Sequence, residues 1–194
     1  MKKILLVCVI ALLGLSVMAT SGVAKKAEKT LEVSFEYEKQ GGPGSNQYAI
    51  WVENDAGEVV KTLFVTSFTT KGRARGNQAP ARGYTYRPTC VPTWVTHAKA
   101  AEMSDEEIDG FTGATPQSGK QTFTWDLKDK DGKELGKGTY KVCVEATLFN
   151  NSIVLYTGTF TAKDKKGEIV LTSTETSHDD QHANMIKDVQ ACLK

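Results

Sequence analysis

Asp109-Gly110-Phe111-Thr112-Gly113-Ala114-Thr115 runs on into Pro116-Gln117-Ser118-Gly119, setting a carboxylate and two threonine hydroxyls among small residues. Its apolar residues follow neither the helical nor the alternating period, so the run reads as a loop that can present a threonine hydroxyl to another enzyme or, more plainly, as a small-residue crossing from the Ser104 turn into the strand at Thr122. Glycine and alanine at 113 and 114 leave room for a foreign active site to close over Thr115. Pro116 confines Thr115 to extended backbone, because the proline ring disfavours helical geometry in the residue before it.

A second set of groups is cationic. No acidic residue falls between Glu58 and Glu102, whereas Lys61, Lys71, Arg73, Arg75, Arg82, Arg87 and Lys99 all do, with Tyr84 and Tyr86 interleaved. Guanidinium forks suit phosphate or carboxylate, and a tyrosine ring can lie on a flat aromatic ligand. The bland reading is a solvated loop.

The histidines carry less. His178 and His182 stand at i, i+4 with Asp179 and Asp180 between them, a spacing that can bind zinc, and His97 is a possible third ligand. No glutamate follows the first histidine, so the metalloprotease pattern is missing, and a solvated helix start is the simpler reading. Asp129-Lys130-Asp131-Gly132 lacks the further ligands of a calcium loop and reads as a hairpin turn. Neither a nucleophilic triad, a glycine-rich phosphate loop nor a paired-carboxylate site stands out.

The segment that addresses the chain comes first in sequence. Lys2 and Lys3 precede an apolar run over 4–17 and then small residues to Ala24, the form of a cleavable secretory signal over 1–24. The run is too short for a membrane span, and cleavage is equally compatible with Ala19 or Ala24. The remaining 170 of 194 residues suffice for one domain, 25–194, with its own core. Loss of Lys2 and Lys3 turns 24 basic against 23 acidic side chains into 22 against 23, a near-neutral balance that gives no reason to expect nucleic acid. Cys90, Cys143 and Cys192 remain, and an oxidising compartment predicts one disulfide among them without selecting the pair.

The elements that must position these groups are mostly strands. Residues 31–38 alternate apolar and polar, predicting a half-buried strand. Residues 48–52 and 59–65 flank Asn54-Asp55-Ala56-Gly57-Glu58 as a hairpin. A second hairpin is expected between 122–127 and 139–147, and a third between 153–162 and 169–174. Within 139–147, Tyr140, Val142, Val144 and Ala146 share one face, which puts Cys143 on the other beside Lys141 and Glu145. The middle, 66–120, reads as a long insertion, with a helix from Pro92 toward Met103 and a capping box at Ser104-Asp105-Glu106-Glu107. Ala183, Ile186, Val189, Gln190 and Leu193 at helical spacing predict a C-terminal helix over 178–193 that covers a sheet. The fold class is therefore mainly β, an immunoglobulin-like antiparallel sandwich with an irregular and helical insertion and that terminal helix.

With these segments in place, the chain resembles the domain of unknown function 2271 family of predicted periplasmic proteins over most of its mature length. The likeness rests on the strand-turn-strand Tyr48-Ala49-Ile50-Trp51-Val52 through Glu58-Val59-Val60-Lys61-Thr62-Leu63, on Thr112-Gly113-Ala114-Thr115, and on Trp125-Asp126 through Gly138-Thr139-Tyr140 to Glu145-Ala146. The last segment also resembles an immunoglobulin-like hairpin of flagellar hook-cap proteins. The run from Asp109 resembles the acceptor sequence of flavin transferases, Asp-x-x-Ser/Thr-Gly-Ala-Ser/Thr. The resemblance implies association with flavin transferase modules and membrane redox proteins. On that reading Thr115 carries FMN through its phosphate, Asp109, Thr112, Gly113 and Ala114 are recognised by the transferase, and Arg73, Arg75 and Tyr84 contact the cofactor. The function expected is a periplasmic or secreted electron carrier rather than a catalyst, working with a membrane or periplasmic redox partner. The competing expectation is a non-enzymatic binding module that docks on a membrane redox partner through the 71–87 loop.

Overall fold

A computed structural model describes residues 28–41, 46–73, 81–148, 152–177 and 185–194. Ten strands and four short helices follow one another as β1 (Leu31–Tyr37), β2 (Asn46–Asn54), β3 (Val59–Thr66), α1 (Ser67–Lys71), α2 (Gly83–Tyr86), α3 (Pro92–His97), α4 (Asp105–Asp109), β4 (Thr112–Gly113), β5 (Gly119–Trp125), β6 (Thr139–Leu148), β7 (Ser152–Thr161), β8 (Gly167–Ile169), β9 (Thr172–Ser177) and β10 (Ile186–Leu193). They form a four-stranded sheet in the order β5-β1-β10-β8 and a six-stranded sheet in the order β4-β3-β2-β6-β7-β9. The chain is thus mainly β.

Alternation in β1 turns Leu31, Val33, Phe35 and Tyr37 onto the six-stranded sheet, where they meet Tyr48, Ile50 and Val52 of β2 and Tyr140, Val142, Val144 and Ala146 of β6. The phase expected for 139–147 is the observed one, with Cys143 on the outer face. That outer face is covered too. Ala49 and Trp51, Val65 and Cys143 pack against Val91, Trp94, Ala98 and Ala100 of the 66–120 insertion. β2 is consequently buried on both faces, which explains its nearly unbroken apolar run.

The β2–β3 hairpin forms as expected. Asn54 Oδ1 accepts from the amides of Ala56 (3.0 Å) and Glu58 (2.9 Å), and Gly57 supplies the positive φ of +78° that closes the turn. The second expected hairpin does not form. The 129–133 turn is present, with Asp129 Oδ1 accepting from the amides of Asp131 and Lys133 at 2.9 Å, but only Lys128 and Glu134 bridge across it. β5 leaves to pair with β1, while β6 pairs with β2 and, in a continuous register from Thr139↔Thr161 to Leu148↔Ser152, with β7. A turn signal fixes chain reversal locally and cannot say which sheet receives the returning strand. The third hairpin is half right: β7 pairs with β9, whereas Ile169, in β8, crosses to the other sheet and pairs with β10.

The expected C-terminal helix is corrected. Residues 178–184 lie outside the described residues, and 186–193 form β10, antiparallel to β1 from Tyr37↔Ile186 to Leu31↔Leu193. Asp188 takes a positive φ of +52° where the register slips opposite 34–36, so the chain carries an extra residue there. This bulge spaces the inward residues as Ile186, Val189, Ala191 and Leu193, one step of three followed by two of two. A strand with that stutter imitates a helical stripe, and β1, otherwise an open edge, gains its partner.

Within the insertion, α3 ends at His97, short of the expected 103, because Lys99 turns to φ +51°. The capping box of α4 is formed: Ser104 Oγ accepts from the Glu107 amide (3.2 Å), and Glu107 Oε2 accepts from the Ser104 amide (2.9 Å). The leader expected over 1–24 lies outside the described residues.

Candidate functional site

The motif after α4 becomes a strap between the two sheets. β4 adds to the edge of the six-stranded sheet, parallel to β3 with Val65↔Thr112 and Thr66↔Gly113, and the Val65 amide donates to Phe111 O at 3.0 Å. β5 begins at Gly119 on the edge of the four-stranded sheet. Residues 114–118 therefore cross from one sheet to the other, in neither helix nor strand.

The two ends of the strap are pinned. Thr112 Oγ1 lies 3.0 Å from Thr70 Oγ1, and Asp109 Oδ1 lies 2.7 Å from Lys71 Nζ in an exposed ion pair. A methyl group at Gly113 would sit 2.2 Å from Phe64 Cε2, so this position admits no side chain while the Phe64 ring stays in place. Downstream, Ser118 Oγ accepts from the Lys39 amide at 2.9 Å. Between these anchors Ala114 is exposed and Thr115 half-buried. No hydrogen bond ties the Thr115 hydroxyl among the described residues. Of the five motif residues singled out, Thr112 and Asp109 hold the loop, Gly113 lets it lie close, and Thr115 is left with a disengaged hydroxyl.

The other proposed cofactor contacts are placed elsewhere. Arg73 is exposed just past α1, and Arg75 lies outside the described residues. Tyr84 packs against the cluster built on Trp51 and Trp94. Much of the cationic run serves the fold: Arg82 donates to Ala100 O, to Met103 O at 2.6 Å and to Asp105 Oδ1 at 3.4 Å, and the Arg87 guanidinium stands 5.8 Å from the Phe68 ring centre. His178 and His182 lie outside the described residues, and among those described no group of three or more His, Cys, Asp or Glu side chains suits a metal.

None of the three disulfide pairings among Cys90, Cys143 and Cys192 is formed. Cys192 lies on β10 of the four-stranded sheet, the layer opposite the outer face that holds Cys143. The amide of Val91, next to Cys90, docks on Thr147, four residues and about 13 Å of strand from Cys143, beyond the reach of a disulfide. Burial pushes the Cys143 thiol well up, with Glu53 adding to the effect and Lys141 opposing it, so this sulfur is an inert core group.

Sequence reasoning missed the most developed polar site, which lies under α3. Glu145, wholly buried, accepts from the amides of Thr93 (3.1 Å) and Trp94 (3.0 Å), satisfying orphan donors of the first turn of α3. Burial pushes its carboxyl up, and those two amides partly offset the push. At the other end of α3, His97 Nδ1 lies 2.6 Å from Oε1 of the equally buried Glu53, which also accepts from Trp51 Nε1 at 2.6 Å. Lys141 Nζ lies 2.7 Å from Glu53 Oε2. Burial alone would raise the Glu53 carboxyl, but hydrogen bonds from Lys141, Trp51 and His97, with the Lys141 charge, bring it below its ordinary value. Trp94 Nε1 donates to Thr62 Oγ1 at 3.1 Å. Two carboxylates on neighbouring strands thus clamp both ends of a six-residue helix. Every partner in the clamp is internal, which makes it architecture first.

Set against known families, residues 28–178 match the model of DUF2271, described as predicted periplasmic proteins. The chain belongs to that family. The match takes in β1 to β9, the 66–120 insertion and the strap but not β10, and it places this DUF2271 chain in the periplasm. Among the described residues no helix is long and apolar enough to cross a membrane. No curated protein and no solved structure matches the chain.

Proposed function

We propose that this DUF2271 chain, an immunoglobulin-like sandwich, is a periplasmic electron carrier with FMN joined through its phosphate to Thr115 by a flavin transferase. The reading is carried by the disengaged Thr115 hydroxyl on a strap whose residues Asp109, Thr112 and Gly113 are held. Asp109 is paired with Lys71, Thr112 with Thr70, and Gly113 lies bare against Phe64, so the chain presents one hydroxyl among small residues. The residues present fit the group: Thr115 is half-buried beside the exposed Ala114, Pro116 keeps it extended, and nothing bulky flanks it at 113 or 114.

Attachment breaks the pyrophosphate of FAD. The Thr115 oxygen forms a bond to the phosphorus of the FMN half, AMP departs, and the hydroxyl proton leaves to the transferase or solvent. The chain supplies the nucleophilic oxygen and the loop around it, and the transferase supplies the activation. Once bound, the flavin supplies the reversible redox chemistry between a membrane donor and a periplasmic acceptor, while the protein supplies position and electrostatics.

Co-expression with a flavin transferase, followed by a denaturing gel under ultraviolet light, tests the assignment. A fluorescent band that disappears in Thr115→Val is the expected outcome. A dark wild-type band, or a bright Thr115→Val band, overturns it.

A further inference from the structure

Directly beside the strap, the flank of the sandwich is closed by aromatic rings. Phe64 of β3 and Phe123 of β5 meet across the gap between the two sheets with ring centres 5.1 Å apart, and both are only partly buried. Behind them, Phe35 stacks on Phe123 (6.0 Å, 24°) and Tyr48 stacks on Phe64 (5.1 Å, 23°), both rings completely buried. Tyr37 continues the array at 5.8 Å from Tyr48. The Tyr37 and Tyr48 hydroxyls are buried with no hydrogen-bond partner among the described residues, an arrangement that favours ring packing over polar satisfaction. The bare Gly113 lets the strap settle against Phe64. Thr115 follows two residues later, within about 7 Å of chain.

We infer that the Phe64–Phe123 pair is a binding platform for a planar heteroaromatic ring, the isoalloxazine carried at Thr115. This rests on the flavin reading of Thr115 given above. Flat rings gain most against aromatic faces that are rigidly backed and already partly dehydrated, and this pair is both. Tether and platform have separate roles. Thr115 holds the phosphate end covalently, and Phe64 with Phe123 keeps the ring off solvent and on the chain.

The test uses the full chain co-expressed with a flavin transferase, with intact mass reporting loading and iodide quenching of flavin fluorescence reporting shielding. In the loaded native protein the iodide quenching constant is expected to be at least threefold below that of the same protein unfolded in urea. Phe64→Leu with Phe123→Leu should bring it back to within a factor of 1.5 or so of the unfolded value at unchanged loading. Circular dichroism checks the double variant, and Phe123→Leu alone replaces it if it does not fold. A loaded protein quenched as strongly native as unfolded, or shielded equally without the two rings, overturns the platform and leaves the flavin reading standing. Absence of the added mass overturns both, and the mass measurement separates the two failures.

Discussion

The strap at 114–118, which leaves the six-stranded sheet at β4, and the clamp under α3, on the outer face of that sheet, are built on opposite terms. In the clamp, Glu53 and Glu145 are fully buried: Glu53 Oε1 meets Trp51 and His97, its Oε2 is ion-paired with Lys141, and the oxygens of Glu145 accept from the amides of α3. In the strap, the Thr115 hydroxyl has no partner among the described residues and its neighbours are small. A buried carboxylate is tolerated where it is paired or hydrogen-bonded, and both of these are held by groups of the fold itself. A half-buried threonine needs no protein partner where water can bond its hydroxyl, and that is the ground for proposing chemistry at the strap. Polar groups that look most like an active site hold the fold here, and the plain threonine is the one left over.

The largest effect should come from breaking the clamp. Glu53→Ala leaves the Lys141 ammonium and the Trp51 indole N–H without their acceptor, and a loss of about 3 kcal/mol is expected, at the lower end for buried pairs because Lys141 and His97 are partly exposed. Urea unfolding measures it. A loss under about 1 kcal/mol would remove the contrast between the two regions. The pH dependence has a definite sign. Glu53 sits below its ordinary 4.5 in the folded protein, so it contributes stability above pH 4.5 that disappears as pH falls through the lower folded value. Glu53→Gln should lack that component, and the gap between the two stability curves should narrow as pH drops below about 4.5. Parallel curves down to acid pH would contradict the shift.

Gly113→Ala should come next. A methyl 2.2 Å from the Phe64 ring forces ring or strap to move, and overpacking of this kind costs about 1–3 kcal/mol. Neutral stability would show that the strap is loose at its upstream anchor. Glu145→Gln should cost about 1 kcal/mol, less than Glu53→Ala, because it removes a charge that burial already disfavours while an amide oxygen can still accept one of the two helix N–H groups. Thermal unfolding of the two glutamate variants side by side ranks them, and the reverse order would reassign the stronger end of the clamp.

Much of the frame was legible in the sequence where one strand face is apolar and one polar. β1 and the β2–β3 hairpin follow from alternation and from Asn54-x-x-Gly57, and the capping box of α4 from Ser104 and Glu107. β10 was illegible as a strand because the Asp188 bulge breaks period two. The clamp was hidden for a related reason. Glu53 and Glu145 occupy strand positions that a two-layer sandwich would leave wet, so each reads as a solvent-facing carboxylate. The signal was present in Tyr48-Ala49-Ile50-Trp51-Val52, since five apolar residues in succession bury both faces of a strand and demand a third layer. Charges on that outer face then need partners, which Lys141 of β6 and, from the 66–120 insertion, His97 and the α3 amides supply. The strap was legible from residue types as an irregular crossing into the strand at Thr122, but its start on the sheet edge was not, because β4 is two residues long and its pairing with β3 is tertiary.

The smallest effect on stability should fall on the residue that matters most for the proposed function. Thr115→Val preserves shape and β-branching, removes a hydroxyl that bonds to nothing among the described residues, and leaves Pro116 its extended neighbour. A change within about 0.5 kcal/mol of wild type is expected by urea unfolding. The same substitution should abolish attachment of a flavin, because no isosteric carbon can replace the attacking oxygen. Thr112→Val is the matched control: its hydroxyl is bonded to Thr70, so it should cost about 1 kcal/mol while the accepting oxygen at Thr115 remains. If Thr115→Val proves as costly as Thr112→Val, the hydroxyl at 115 is part of the framework. The separation between strap and clamp would then have to be redrawn one residue at a time.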